Sequence, residues 1–394
     1  MAPQPFRIAV PQATLDDLQE RLARTRWTDE FEDAGWEYGT NREYLRSLVD
    51  YWRNQFDWRA QEVTLNQFAH FRATIDGLGI HFIHERGTGP KPLPIVLSHG
   101  WPDSFVRMLK IIPLLTDPAS HGGNAADSFD VIVPSLPGFG FSDHAYRRGM
   151  TRERIAALWA RLMTDELGYK SFAAHGGDLG SGVSERLALN HAASLVGIHL
   201  TDVPFRRLLA TPPEKLTDAE RAYLDAAQAW RMREGAYALM QGTKPQTLAY
   251  GLHDSPVGLA AWIVEKFCSW SDCDGDVETR FTKDELLTNI TIYWATGTIN
   301  SSFHLYTEGT ADPPLDAAQR SAVPTGIAVF PKDLVPAPRG SADRLFNVRR
   351  WTVMPRGGHF AAMEEPALLA EDLRAFFRPL RDPPANAGAA VQAS

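Results

Sequence analysis

The segment HGGDLGSG, residues 175–182, has the pattern of a nucleophile elbow with a carboxylate at its apex. Gly176 and Gly180 lie two positions before and two positions after Asp178, as a tight strand–turn–helix requires. A hydroxyl nucleophile would leave an uncleavable ether on an sp3 carbon, whereas a carboxylate leaves an ester that activated water can hydrolyse. Asp178 therefore indicates attack on an sp3 carbon that bears a leaving group. A structural aspartate that caps the following helix is the alternative.

The turn HGWP, residues 99–102, follows the apolar run PIVLS and is a candidate oxyanion hole. A strand-end turn with glycine and proline leaves backbone N–H groups directed into the cleft. The expected donors are the amides of Trp101 and Leu179, which would stabilise the tetrahedral intermediate on the Asp178 carbonyl. His99 is interpreted as a hydrogen-bonding turn residue.

A base and its orienting acid are expected on loops after later strands. His359 lies on the glycine-flanked loop RGGH after the last apolar strand, where a base of this kind comes last in chain order. The competing base is His175, which precedes two glycines at a buried strand end and is interpreted as a packing residue. Asp333 ends the run GIAVFPKD and suits the acid, while Asp202, one strand earlier, is the alternative.

The leaving group separates the two electrophiles that suit a carboxylate nucleophile. A halide leaves as a stable anion and commonly needs a tryptophan N–H beside the nucleophile, where this chain has Leu179. An epoxide leaves as a basic alkoxide, and a phenol is well matched to protonate it. Epoxide hydrolysis is therefore favoured over dehalogenation. The residues alone do not choose among the candidate phenols, which are Tyr223, Tyr237, Tyr250, Tyr293 and Tyr306.

The order of elements predicts an α/β fold with a parallel sheet covered on both faces. Apolar runs alternate with helical segments before residue 205 and again after residue 320. Helical segments dominate between them, which predicts a helical cap inserted in one sheet. The stretch DSFVRMLKIIPLL is expected to be helical, and RATIDGLGIHFIHERG to form a hairpin around Asp76-Gly77. Thr14 is expected to cap the first helix of the chain.

We divide the chain into successive segments on this basis. They are an N-terminal helical segment (1–85), the first part of the core (86–205), the helical cap (206–320), the second part of the core (321–380) and a tail expected to be disordered (381–394). The aromatic-rich N-terminal segment is either a wrap on the other segments or a separate interaction module.

Composition argues against several partners. The 394 residues carry a net charge of −8 with a pI near 5.9, and nucleic acid binding needs a basic surface. Cys268 and Cys273 are too few for a disulfide framework or a zinc site. The acidic stretch SDCDGDVE lacks the spacing of a calcium loop. No apolar run has the length of a signal peptide core or a membrane span, so a cytoplasmic location is expected.

The chain resembles the microsomal-type epoxide hydrolases, a branch of the α/β hydrolases. The resemblance extends to about residue 380 and rests on RTRW, HGWPDSF, PSLPGFGFS, GGDLG, TKPQTLAYGLHDSPVGLAAWIVEKF, NITIYWATGTINSS, FPKD and RGGHFAAMEEP. It implies an α/β-hydrolase fold with a helical cap after the sixth core strand. It also implies an N-terminal helical meander that wraps core and cap, with Trp27, Trp36 and Trp52 packed against them.

By position, the resemblance places the family's nucleophile on Asp178, its base on His359 and its acid on Asp333, where some relatives have glutamate. It places the ring-opening tyrosines on Tyr237 and Tyr306. The implied reaction uses an epoxide and water, passes through a covalent aspartyl ester and gives a vicinal diol without metal or organic cofactor.

The resemblance also implies aryl or alkyl epoxide substrates, with a biosynthetic role, such as in an enediyne pathway, or a detoxifying one. A homodimer is implied by analogy, and the membrane anchor of mammalian relatives is not expected here. The alternatives are a hydrolytic haloalkane dehalogenase with the same Asp–His–acid set and a non-catalytic binding protein on the same fold.

Overall fold

A nine-stranded mixed sheet forms the centre of the computed structural model, which describes residues 2–203, 206–209, 211–309, 311–313, 315 and 319–381. The strands are β1 (Gln4–Pro5), β2 (His70–Ile75), β3 (Leu78–Glu85), β4 (Leu93–Ser98), β5 (Phe129–Pro134), β6 (Phe172–Gly176), β7 (Leu195–Leu200), β8 (Pro324–Val329) and β9 (Asn347–Val353). Their order across the sheet is β1-β2-β3-β5-β4-β6-β7-β8-β9. The pairs from β1 to β5 are antiparallel, and those from β5 onward are parallel, as the alternating pattern predicted.

Helices cover both faces of the sheet and form the cap. They are α1 (Gln12–Ala23), α2 (Arg42–Asn54), α3 (Trp58–Leu65), α4 (Ile112–Thr116), α5 (Arg152–Arg161), α6 (Leu179–Asn190), α7 (Arg206–Leu209), α8 (Asp218–Glu234), α9 (Ala236–Thr243), α10 (Pro245–Asp254), α11 (Pro256–Trp270), α12 (Lys283–Thr296), α13 (Ile299–Glu308), α14 (Arg339–Leu345), α15 (Ala361–Glu364) and α16 (Pro366–Phe377). No helix of the described residues is long and apolar enough to cross a membrane.

The parallel strands are buried where they end, and this places several loops at one edge of the sheet. The last four residues of β4 and of β7 are buried, as is every residue of β6, because helices lie on both faces. Parallel strands share a direction, so their carboxyl ends meet along the same edge. The loops after these strands carry the predicted site residues.

The hairpin of β2 and β3 turns through two residues with left-handed backbone. Asp76 has φ 53° and Gly77 has φ 77°, as a two-residue type I′ turn requires. Ile75 and Leu78 pair directly across this turn. The hairpin therefore forms where the sequence predicted it.

The cap helices α8 to α13 lie between β7 and β8. Counted from β2, β7 is the sixth strand, so the insertion follows the predicted core strand. Two capping boxes fix helix starts within the cap, with Thr217 and Glu220 at α8 and Thr282 and Glu285 at α12.

Two local predictions were wrong. Helix α1 begins at Gln12, after Pro11, and Thr14 lies inside it instead of at its cap. Proline suits this boundary because its fixed φ matches the chain entering a helix and its missing N–H is not needed there. The stretch 103–115 is not one helix but a 3₁₀ turn, Phe105–Met108, followed by α4, because Pro113 has no N–H to donate to Leu109. The predicted disordered tail lies outside the described residues from position 382 onward.

Candidate active site

Asp178 lies at the junction of β6 and α6 with a left-handed backbone. Its φ is 54°, an uncommon value for a residue with a side chain. A Cβ atom on Gly176 would overlap the Gly180 carbonyl, and one on Gly180 would overlap the Ser98 carbonyl of β4. The small residues on either side of Asp178 are therefore required by close approach of the backbone. The strained turn projects the Asp178 carboxylate from the sheet edge.

Asp202 binds the elbow and not the histidine base. Its Oδ1 accepts a hydrogen bond from the Asp178 backbone N–H (2.9 Å) and another from the Ser181 hydroxyl. Burial, reinforced by the charge of Asp333, raises the pKa of Asp202 to about 7. Asp202 thus holds the backbone of the elbow through these two hydrogen bonds.

The HGWP turn contacts the Asp178 carboxylate. The Trp101 N–H donates to Asp178 Oδ1 at 2.9 Å, and the Trp101–Pro102 peptide bond is cis. Leu179 is the first residue of α6, so its N–H has no intrahelical partner. His99 is fully buried in the turn, where its Nε2 accepts from the Leu136 N–H at 3.1 Å. The structure therefore places the predicted Trp101 donor on the carboxylate of the nucleophile candidate, and the Leu179 N–H directly after that residue in the chain.

His359 lies between two carboxylates. Its Nδ1 is 2.7 Å from Asp333 Oδ1, and its Nε2 is 3.4 Å from Asp178 Oδ2. Only 2% of the His359 surface is exposed. Burial disfavours the imidazolium, but Asp333 and Asp178 outweigh burial and raise the pKa of His359 to about 10. The hydrogen bond to Asp333 orients the ring so that Nε2 faces Asp178.

The competing base lies behind the elbow. His175 Nδ1 is 3.1 Å from His199 Nδ1, and His199 Nε2 is 3.0 Å from Asp372. Burial and the neighbouring imidazole hold the pKa of His175 well below its usual value. This buried chain runs between strands and helix α16, so the structure does not bring His175 to the Asp178 carboxylate.

Two cap tyrosines lie above the HGWP turn. The Tyr237 ring stacks on the Trp101 ring with 5.2 Å between centroids and 10° between planes. The Tyr306 ring is perpendicular to that indole, at 6.1 Å and 88°. Burial raises the pKa of both phenols, and the charge of Asp178 adds to the shift. Both phenols therefore remain protonated at neutral pH.

The other candidate phenols are directed elsewhere. The Tyr223 hydroxyl donates to the Val203 carbonyl at 3.2 Å, and the Tyr293 hydroxyl donates to the Asp103 carbonyl at 2.8 Å. Tyr250 is 72% exposed on the cap surface. Of the five candidates left open by the sequence, the structure brings Tyr237 and Tyr306 to Trp101.

Parts of the chain match known families. Residues 3–108 match the family described as epoxide hydrolase N terminus, and residues 94–237 match the family described as alpha/beta hydrolase fold. A Stigmatella aurantiaca protein whose name assigns it provisionally to the epoxide hydrolases is 47% identical over 96% of this chain and 85% of its own length. Epoxide hydrolase 1 of Sus scrofa is 38% identical over 95% of this chain and 88% of its own length. The chain belongs to the epoxide hydrolase family.

A solved structure supports the same assignment. The structure of Aspergillus niger epoxide hydrolase has a TM-score of 0.84 at 30% identity and covers 96% of this chain and 97% of that chain. The predicted α/β-hydrolase fold is thereby confirmed, as is epoxide hydrolysis as the reaction class. Dehalogenation is not favoured.

A buried ion pair in this epoxide hydrolase was not found from the sequence. Arg107 Nη1 is 2.6 Å from Asp103 Oδ2. Burial raises the pKa of the Asp103 carboxyl, but Arg107 and His99 outweigh this effect and lower the pKa to about 2. Asp103 Oδ1 accepts the Gly100 N–H at 2.9 Å, and Arg107 Nη2 donates to the His359 carbonyl at 2.5 Å. The pair therefore connects the HGWP turn to the loop of the base. Its only signal in the sequence is a charge pair at i and i+4.

Trp270 was also missed. Its ring is 5.2 Å from the His359 ring at 79°, and its carbonyl accepts the His359 N–H at 2.8 Å. The same ring is 5.0 Å from the Tyr237 ring. Trp270 ends α11 of the cap, so it joins the base to the cap tyrosines. A single aromatic residue at the end of a helix gives no signal in the sequence that its ring contacts the base and a cap tyrosine.

Proposed function

We propose that this epoxide hydrolase forms a covalent ester on Asp178 and hydrolyses it to a vicinal diol. The observation that carries the proposal is the position of His359, with one ring nitrogen on Asp333 at 2.7 Å and the other 3.4 Å from Asp178. A carboxylate nucleophile needs a base that activates water beside it once the ester has formed. The homodimer and the enediyne role stay predictions.

In the first step, Asp178 Oδ2 attacks one oxirane carbon. The new C–O bond forms as the bond from that carbon to the ring oxygen breaks, and the ring oxygen takes a proton from Tyr237 or Tyr306. Meanwhile Oδ1, which already accepts the Trp101 N–H, becomes the ester carbonyl oxygen. The proton is needed because an alkoxide is too basic to leave without one.

Ester formation changes the protonation of His359. It removes the negative charge of Asp178, which helps to hold the imidazolium in the free enzyme. The pKa of His359 therefore falls, and its proton passes to the tyrosinate formed in the first step. The neutral imidazole is then ready to act as a base, still oriented by Asp333.

In the second step, His359 Nε2 takes a proton from water, and the hydroxide attacks the ester carbon of Asp178. The amides of Trp101 and Leu179 stabilise the resulting oxyanion. Collapse breaks the Cγ–Oδ2 bond, and the diol oxygen takes the proton from His359. The Asp178 carboxyl group then returns its proton to His359, which restores the initial state.

The proposal is tested by trapping the ester. His359→Gln lacks the base, so a single turnover with styrene oxide or 1,2-epoxybutane should leave an adduct on the Asp178 peptide equal in mass to the whole epoxide. The double variant that also carries Asp178→Asn is the control and should remain unmodified. No adduct from either epoxide would overturn the role of Asp178, and labelling by a haloalkane alone would indicate a dehalogenase.

The source of the diol oxygen gives an independent check. In a single turnover in H₂¹⁸O, an ester mechanism delivers an oxygen of Asp178 to the diol and places ¹⁸O in the enzyme. Direct attack of water would place ¹⁸O in the diol instead and would contradict the proposal.

A further inference from the structure

Gln241 is a buried amide without a hydrogen-bond partner. It lies on α9 with 0% of its surface exposed, and neither Nε2 nor Oε1 has a partner among the described residues. A buried amide that makes no hydrogen bond has lost those it would make to water, so such groups are rare in folded proteins. Both polar atoms of this amide are therefore free of protein partners within the described residues and available to a bound group.

Gln241 lies on the same face of α9 as Tyr237. The two are four residues apart, and side chains at this spacing share one face of a helix. On that face the Tyr237 ring stacks on Trp101. The Gln241 backbone carbonyl accepts a hydrogen bond from Thr307 Oγ1 (3.0 Å) on α13, the helix that carries Tyr306. The amide thus lies one helical turn from a phenol proposed to protonate the ring oxygen.

Two more N–H groups beside Tyr237 lack partners. The indole Nε1 atoms of Trp101 and Trp270 are buried and make no hydrogen bond within the described part of the chain. Their rings lie 5.2 Å and 5.0 Å from the Tyr237 ring. Together with the amide of Gln241, these groups offer more donors than acceptors. A ligand that pairs with them must present acceptor oxygens.

We propose that Gln241 donates a hydrogen bond to an ether or carbonyl oxygen of the substrate. The preferred substrates are then epoxides that carry a second oxygen near the oxirane. This inference rests on the proposed function, since it places the oxirane between Asp178 and Tyr237. A pure hydrocarbon epoxide leaves the amide unpaired when it binds, and a site built to hydrogen-bond a substrate group discriminates against the analogue that lacks it.

The test compares epoxides that differ in one atom. Phenyl glycidyl ether carries an ether oxygen where 4-phenyl-1,2-epoxybutane carries a methylene. A second pair, 1,2-epoxy-4-phenoxybutane and 5-phenyl-1,2-epoxypentane, moves the oxygen one atom further from the oxirane. The ether-to-hydrocarbon ratio of kcat/KM is measured for the unmodified enzyme, for Gln241→Met and for Gln246→Met, an exposed glutamine on α10. Comparing ratios between variants cancels the intrinsic reactivity of each epoxide.

We expect Gln241→Met to lower this ratio about three- to tenfold in at least one pair, the factor expected for one hydrogen bond. Gln246→Met should leave the ratio unchanged. Gln241→Met should also raise Tm, because methionine fills a similar volume without an unpaired amide.

An unchanged ratio in both pairs would overturn the inference. If Tm did not rise either, the amide would be paired by a buried water alone. Failure of the proposed function has a different signature, because Asp178 would then stay unmodified in His359→Gln with every epoxide of the two pairs.

Discussion

The protonation of His359 follows from the two carboxylates on either side of it. Asp333 is hydrogen-bonded to Nδ1, while Asp178 lies 3.4 Å from Nε2. Asp333 is not esterified in the proposed cycle, whereas Asp178 loses its charge when the ester forms. The same imidazole is therefore a cation before ring opening and a base after it.

Asp178→Asn should reproduce the charge state of the ester. The variant removes one negative charge beside Nε2, so we expect the pKa of His359 to fall from about 10 towards neutrality. NMR titration of the imidazole ¹⁵N signals measures the change, with Asp50→Asn on the exposed face of α2 as the control. An unchanged His359 pKa in Asp178→Asn would contradict the proposed coupling.

The sequence favoured Asp333 as the acid that orients His359 and kept Asp202 as the alternative. In the structure Asp333 contacts His359, whereas Asp202 contacts the backbone of Asp178. Asp333→Asn should reduce turnover by on the order of 10³- to 10⁴-fold, since the amide favours the wrong tautomer of His359. Asp202→Asn can still accept the Asp178 N–H, so we expect a loss of less than about tenfold. Steady-state kcat on styrene oxide with both variants decides, and a larger loss in Asp202→Asn would reverse the assignment.

The sequence singled out residues whose backbone context is distinctive. Asp178 has glycines at fixed offsets, and His359 has them directly before it, because close approach and turns demand them. Tyr237 and Tyr306 lie inside ordinary helices, so only the resemblance separated them from the other tyrosines. Gln241 gave no signal, since burial without a partner is a property of packing.

At the level of elements, the Asp103–Arg107 pair connects two loops of the site. The turn after β4 carries the Trp101 amide, and the loop after β9 carries His359. Arg107 bridges them through Asp103 and the His359 carbonyl. The spacing of this pair resembles that of an exposed helical ion pair, and the sequence could not show that it is buried.

Arg107→Met should lower the free energy of unfolding by about 3–5 kcal/mol, because it leaves the Asp103 carboxylate buried without its partner. Adding Asp103→Asn should restore part of this stability, but not the kcat that depends on the His359 loop. Urea unfolding and kcat measure the two effects. The matched control is Arg24→Met, which breaks an exposed i,i+4 pair with Glu20 and should cost less than about 1 kcal/mol. Equal losses of unfolding free energy in Arg107→Met and Arg24→Met would contradict the buried role of the Asp103–Arg107 pair.

For the whole molecule, the N-terminal helices are packed on the cap helices α11 and α12. Helices α1 and α2 contact α11, and α2 and α3 contact α12. Trp52 and Trp27 differ in this packing: Trp52 is 1% exposed, whereas Trp27 is only partly buried beneath Arg46. The periodicity of the sequence predicted these helices. The surface that they cover depends on contacts between residues more than 200 positions apart in the chain, such as the contact of Trp52 with Thr291, which are separated by 239 positions.

Trp52→Ala tests whether this packing makes the N-terminal segment and the cap one cooperative unit. The indole Nε1 donates to Thr291 Oγ1 of α12 at 3.2 Å, and removing a buried tryptophan costs about 3–5 kcal/mol. If the segment holds the cap in place, loss of activity and loss of far-UV CD signal in urea should shift together to lower concentration. Trp27→Ala should shift both by much less. A Trp52→Ala enzyme that loses helical signal early while keeping full activity would show that the segment unfolds independently of the site.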